Sequence, residues 1–146
     1  MPLNLFQTLD LACKNVYITE NKINGLSFPK RKDSMVIFGL GYGIESLRDV
    51  AWLRNKNIYY WGDIDTHGFA MLSQVRGYFP CTESILMNEE SVMRFKHLAV
   101  REGKPFKGEL LNLTEEEQII FERLKDDYYG ETLRIEQERI SFTLLD

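Results

Sequence analysis

Cysteine and histidine are scarce: Cys13, Cys81 and two histidines are spread over 146 residues. The cysteines lie far apart and have no histidine pattern beside them, so a zinc centre is not expected. The first 21 residues lack a basic start followed by an apolar block, so no signal peptide is expected and the cysteines are read as reduced thiols. No apolar run approaches the roughly 20 residues of a membrane helix, so the expected location is the cytoplasm. Positive charge is also short, with 18 Lys and Arg against 22 Asp and Glu and a net charge of −4. The basic groups Lys30-Arg31-Lys32 and Arg101, Lys104, Lys107 read as solvated loops, so composition does not point to duplex binding. A chain like this that acts on DNA takes most of its phosphate contacts from another domain or subunit. The glycines Gly39, Gly41 and Gly43 are not the dinucleotide fingerprint, whose last glycine comes three positions after the second. There is no internal repeat and no low-complexity segment. With 44% hydrophobic residues the chain can bury one sizeable core, and 1–146 is read as a single domain.

What is present is an alternation of strand and helix patterns. Val16–Thr19 is β-branched and ends at Glu20. Met35–Leu40 is a second buried strand running into the glycine turn. A helical stripe follows through Ile44, Leu47, Val50, Ala51 and Leu53. Ile58–Trp61 is a third strand, then Gly62, Asp63, Ile64 and Asp65, then Thr66, His67 and Gly68 opening a helix that Gly77 and Pro80 end. Ser84–Met87 is a fourth candidate strand. Asn88 caps a helix with Val92, Phe95 and Leu98 on one face. Residues 101–109 are a loop. Thr114 and Glu117 form a capping box, with Ile120, Phe121, Leu124 and Tyr128 inward and Gly130 just past the helix end. The tail from Thr132 is open between strand and helix.

Such alternation predicts a parallel sheet of about four strands with helices on both faces. Glu20, the glycine turn, Asp63 and Asp65 then leave the strands at one edge, where open α/β sheets bind ligands. Two aspartates at i and i+2 on an extended turn can reach one hard cation, Mg²⁺ or Mn²⁺. Asp and Thr after a strand are also ordinary turn and cap residues, and Glu20 alone is an ordinary loop glutamate. Three carboxylates gathered from separate strand ends repel one another unless a cation is present.

A strand ending in Glu, a glycine turn after a second strand, and a strand ending in Asp-x-Asp resemble the Toprim domain of topoisomerases, primases and related nucleases. The segments VYITENKINGLSFP, VIFGLGYG, YYWGDIDTHGFAMLSQVR, YFPCTESILM and LRIEQERI resemble the DUF2220 family, which includes the nuclease subunit of Wadjet plasmid-defence systems. The Asp-x-Asp-x-x-Gly run is also similar to the A subunit of type IIB topoisomerases and their meiotic relatives. The resemblance implies a Toprim-like fold and Mg²⁺- or Mn²⁺-dependent cleavage of DNA phosphodiesters. It implies Glu20, Asp63 and Asp65 as metal ligands, with Glu20 as a further ligand or a general acid/base. His67 falls in the matched run, either as a phosphate contact or as a helix-start residue with a local hydrogen bond. Arg134, Glu136, Glu138 and Arg139 are read first as an ion-pair network and second as phosphate or metal contacts. The implied partners are DNA, a second copy in a homodimer, and SMC-like subunits of the defence complex. Relatives are longer at the N-terminus, so the chain is expected to be a catalytic domain without its DNA-binding domain. Two other readings stand beside this one. One is a haloacid-dehalogenase-like phosphohydrolase with an Asp-x-Asp nucleophile, although the residue order after Asp65 departs from that pattern. The other is a non-catalytic dimerisation or docking module.

Overall fold

The computed structural model describes residues 13–19, 34–37 and 41–139. Four strands form one parallel sheet: β1 (Asn15–Thr19), β2 (Ser34–Ile37), β3 (Asn57–Trp61) and β4 (Glu83–Ser84), in the order β2-β1-β3-β4. The expected parallel α/β architecture is therefore the one found. β1 pairs with β3 from Asn15 opposite Asn57 to Thr19 opposite Trp61, so the two strands end side by side. The chain moves outward from β1 to β2, then crosses back to β3 and onward to β4. The order reverses between β1 and β3, and their carboxyl ends flank the crevice where doubly wound sheets bind ligands.

The connection from β2 to β3 is helical but tighter than an α-helix, with 3-10 segments at Gly41–Asp49 and Ala51–Asn55. Its buried apolar residues are Ile44, Leu47, Val50, Trp52 and Leu53. Apart from Trp52 the spacing is three throughout, which matches the three-residue turn of a 3-10 helix, whereas an α-helical stripe alternates threes and fours. Helix α1 (Thr66–Tyr78) buries Phe69, Leu72 and Val75 and packs against both Gly41–Asp49 and helix α3 (Glu115–Lys125). Helix α2 (Glu89–Phe95) lies between them in sequence, capped by Asn88, whose Oδ1 accepts the Ser91 N–H at 2.9 Å. Val16 and Ile18 of β1, Ile58, Tyr60 and Trp61 of β3, and Ile120, Phe121 and Leu124 of α3 belong to the same core.

Several boundaries differ from expectation. β4 stops at Ser84 because Leu86 adopts φ 58°, which a strand cannot contain. Leu98 lies beyond α2 in a 3-10 turn and is exposed. The capping box at Thr114 and Glu117 forms as expected. The far end of α3 does not use Gly130. Asp127 takes the left-handed position (φ 58°), while the Tyr128 N–H donates to Arg123 O at 2.9 Å and the Asp127 N–H to Leu124 O. Aspartate tolerates that conformation, and the turn throws Tyr128 outward instead of inward. The segment expected to be loop from Arg101 begins in a short antiparallel pair, β5 (Val100–Arg101) with β6 (Leu133–Arg134). The tail resolves into that strand and a 3-10 turn at Gln137–Arg139. No helix of the described residues is long and apolar enough to cross a membrane.

Candidate functional site

The run after β3 is held by the run after β6. Ile64 and Ile135 exchange main-chain hydrogen bonds of 2.9 and 3.0 Å. This bridge places the residues flanking Ile64 against those flanking Ile135. Asp63 is half-buried, and its Oδ1 accepts the Gln137 N–H at 2.7 Å. Asp65 is 1% exposed and N-caps α1: its Oδ1 accepts the Gly68 N–H at 2.6 Å, and its Oδ2 accepts from Arg134 Nε at 2.7 Å. Gly68 is required for a steric reason, since a Cβ there would lie 2.0 Å from the Asp63 carbonyl oxygen. The Asp-x-Asp-x-x-Gly spacing thus has a local cause. The second Asp caps the helix whose third residue must be bare to let the first Asp's backbone pass.

His67 points away from the two aspartates' hydrogen bonds. Its Nε2–H donates to Lys104 O at 2.6 Å, and its ring meets the edge of Phe106. The bond reaches a segment 37 residues on and is not the local one expected of a helix-start residue. Arg134 makes an ion pair with Asp65, outside the block of Arg134, Glu136, Glu138 and Arg139 in which a network was expected. Glu20 and the side chain of Glu138 lie outside the described residues, as do Gly39 and Leu40. Glu20 follows Thr19, the last residue of β1, whose partner Trp61 precedes Asp63 by two positions.

Sequence reasoning missed Glu102, assigned to a loop. It is buried, its Oε1 accepts the Thr66 hydroxyl at 2.5 Å, and its Oε2 accepts the His67 N–H at 3.2 Å. The Phe106 N–H in turn donates to Thr66 Oγ1. No periodicity could have shown a carboxylate reaching α1 from 35 residues away; burial reveals it. Together Glu102 and Asp65 take up N–H groups at the start of α1, so the place where α/β folds often receive a phosphate is filled from within the chain.

Charge is not balanced here. Burial, and then the Asp65 charge, push the Glu102 carboxyl above its ordinary pKa, against the pull of its bonds to Thr66 and His67. Burial opposes the Arg134 charge, yet its bond to Asp65 and the charges of Asp65, Asp63 and Glu102 outweigh this and raise its pKa. The guanidinium therefore lies in the field of three carboxylates, of which it touches Asp65. Polar groups are also left over at this end of the sheet. The Gln137 carboxamide and the Thr19 hydroxyl are buried with no hydrogen-bond partner among the described residues. A buried orphan of this kind costs about 1–3 kcal/mol.

The donor set fits a hard divalent cation in its chemistry: carboxylate oxygens past the end of β3, an excess of negative charge and buried polar atoms without partners among the described residues, and a guanidinium standing in as the cation. It is not preformed, because Arg134 sits on Asp65 and the described residues hold no group of three His, Cys, Asp or Glu side chains arranged around one point. A cavity of about 110 Å³ lies at the opposite end of the sheet, where β3 begins, lined by Arg54, Lys56, Ile58 and Thr82 among others. No carboxylate lines it, so the chemistry and that hollow are separate.

The chain belongs to the family of the C-terminal region of the Wadjet protein JetD, whose family model matches residues 1–146. Membership supports a role in the Wadjet defence system, a multi-subunit assembly. Among curated proteins, none matches the chain.

Proposed function

We propose that this chain provides the nuclease site of a Wadjet anti-plasmid system, a Toprim-like centre that cleaves DNA phosphodiester bonds with Mg²⁺ or Mn²⁺. The observation that carries the reading is positional. Asp63 and Asp65 leave β3 at the switch between β1 and β3, and Glu20 is the next residue after β1. Glu20, Asp63 and Asp65 would hold the cation, which supplies charge neutralisation at the scissile phosphate and a lowered pKa for an attacking water. The chain's own part is orientation. Gly68 and the Gln137 N–H fix Asp63, the α1 cap fixes Asp65, and Glu102 ties the loop at 102–106 to the start of α1. With Nε2–H spent on Lys104, His67 has only Nδ1 left to turn toward a phosphate. DNA, a second copy of the chain and SMC-like subunits are the proposed partners, with most phosphate contacts made outside this domain.

The test is Glu20→Ala and Asp63→Ala in the complete defence system. Each is expected to abolish plasmid loss while the purified chain stays folded, with a modest fall in melting temperature for Asp63→Ala, which loses the Gln137 N–H bond. Wild-type plasmid clearance by both variants would remove the catalytic assignment.

One observation favours a second reading. Asp65 is saturated by a helix cap and an ion pair, as it would be in a docking module whose carboxylates only build the turn. Calorimetry separates the two, since a docking module binds no Mn²⁺ at millimolar concentration.

A further inference from the structure

We propose that Arg134 is a displaceable counter-cation: it neutralises Asp65 when no divalent ion is bound and competes with that ion for the same carboxylate. This rests on the metal-site reading given above. Asp65 is buried, and a buried carboxylate does not stay unpaired, so one cation or another must face it. Arg134 meets that need with a single 2.7 Å contact through Nε. Its own side chain is one-third exposed, against 2% for Asp65, so the guanidinium has a path into water that the carboxylate lacks.

The backbone on either side of Arg134 is pinned. Leu133 is paired with Arg101 across β5 and β6, Ile135 is bonded in both directions to Ile64, and the Gln137 N–H to Asp63. Arg134 can therefore leave Asp65 by rotating its side chain alone, without loss of the bridge that holds Asp63 and Asp65 together. Asp63 and Glu102 add negative charge around the guanidinium, so the pocket it leaves is more attractive to a doubly charged ion than to a second monovalent one. Arg134 is in this sense a positioning residue. It keeps the acidic loop compact before metal arrives, at the cost of weaker metal binding.

Mn²⁺ titrated into the 146-residue chain, read by calorimetry, tests this with Arg134→Gln. The variant is expected to bind Mn²⁺ about tenfold more tightly than wild type, in the range of ordinary site–site coupling. Binding by the variant alone supports the proposal more strongly still. Equal or weaker binding by the variant overturns the proposal and leaves the metal site standing. No binding by either protein overturns both. Should Arg134→Gln fail to fold, the wild-type chain decides: the Arg134 Nε–H resonance is expected to shift and exchange faster with water as Mg²⁺ is added. An unchanged resonance at calorimetric saturation overturns the displacement.

Discussion

Two buried carboxylate–arginine centres sit on the same helix, one at each end of α1, and they are built to opposite plans. At the C-terminal end Glu117 faces Arg76 through two bonds, of 2.5 and 3.1 Å, and also accepts from the Ser84 hydroxyl and the Thr114 N–H. Arg76 spends two more donors on the carbonyls of Thr82 and Asn112. Burial raises the Glu117 pKa, but the bonds from Arg76, Ser84 and Thr114 outweigh it and leave the pKa below the ordinary value. At the N-terminal end Arg134 touches Asp65 within the field of Asp63 and Glu102, the Glu102 pKa is raised, and the Gln137 carboxamide has no partner among the described residues. One carboxylate with every lone pair answered is what a structural joint needs. Surplus negative charge and orphaned donors are what a ligand site tolerates, since the missing partner arrives later.

The largest expected effect breaks the satisfied centre. Arg76→Ala leaves Glu117 buried at 7% side-chain exposure with no counter-charge, and should lower unfolding free energy by about 3–5 kcal/mol in urea melts. A loss below about 1 kcal/mol, the usual worth of an exposed pair, would mean that this centre is no more structural than a surface contact.

The two centres were not equally legible in the sequence. The capping box at Thr114 and Glu117 can be read directly, because both partners sit three residues apart on one helix. That Glu117 also anchors Arg76 and Ser84 cannot, since those contacts depend on how α3 lies against α1. The sheet was legible for a similar reason: β1 and β3 are short apolar runs whose neighbours are turn residues. Asp63 and Asp65 were legible as a pair at a strand end, but not that Asp65 would be buried against Arg134, which comes 69 residues later. Glu102 carried no signal at all, and Gln137 none beyond its place in the matched LRIEQERI segment. Their meaning lies in burial beside the acidic loop, a property of the folded chain and not of any local pattern.

The next effect has the opposite sign and sharpens the contrast. Gln137→Met removes a buried carboxamide that has no partner among the described residues, keeps the main-chain bond to Asp63, and retains similar volume. It should raise unfolding free energy by about 1–2 kcal/mol in the metal-free chain. A satisfied residue replaced this way would lose stability. Destabilisation by Gln137→Met would therefore show that the carboxamide is already paired and that the N-terminal centre is as complete as the other.

The smallest effect is in pH dependence, and it sets the two centres directly against each other. Glu117 has a folded pKa below the unfolded value, so the folded chain binds its proton less readily. Its stabilisation is present above the ordinary carboxylate range and is lost as pH falls through the lowered value. Glu102 has a raised folded pKa, so the folded chain binds that proton more readily, and stability falls as pH rises from the ordinary value through the raised one. Glu117→Gln and Glu102→Gln should therefore diverge from wild type with opposite slopes when unfolding free energy is measured from pH 4 to 7 in chelator, a window set by the ordinary carboxylate range. Glu117→Gln should fall progressively below wild type as pH rises. Glu102→Gln should gain on wild type over the same interval, because the glutamine carries no charge to repel Asp65. Parallel curves for Glu102→Gln and wild type would mean that Glu102 ionises as freely as a surface carboxylate, and the excess charge that separates the two ends of α1 would be gone.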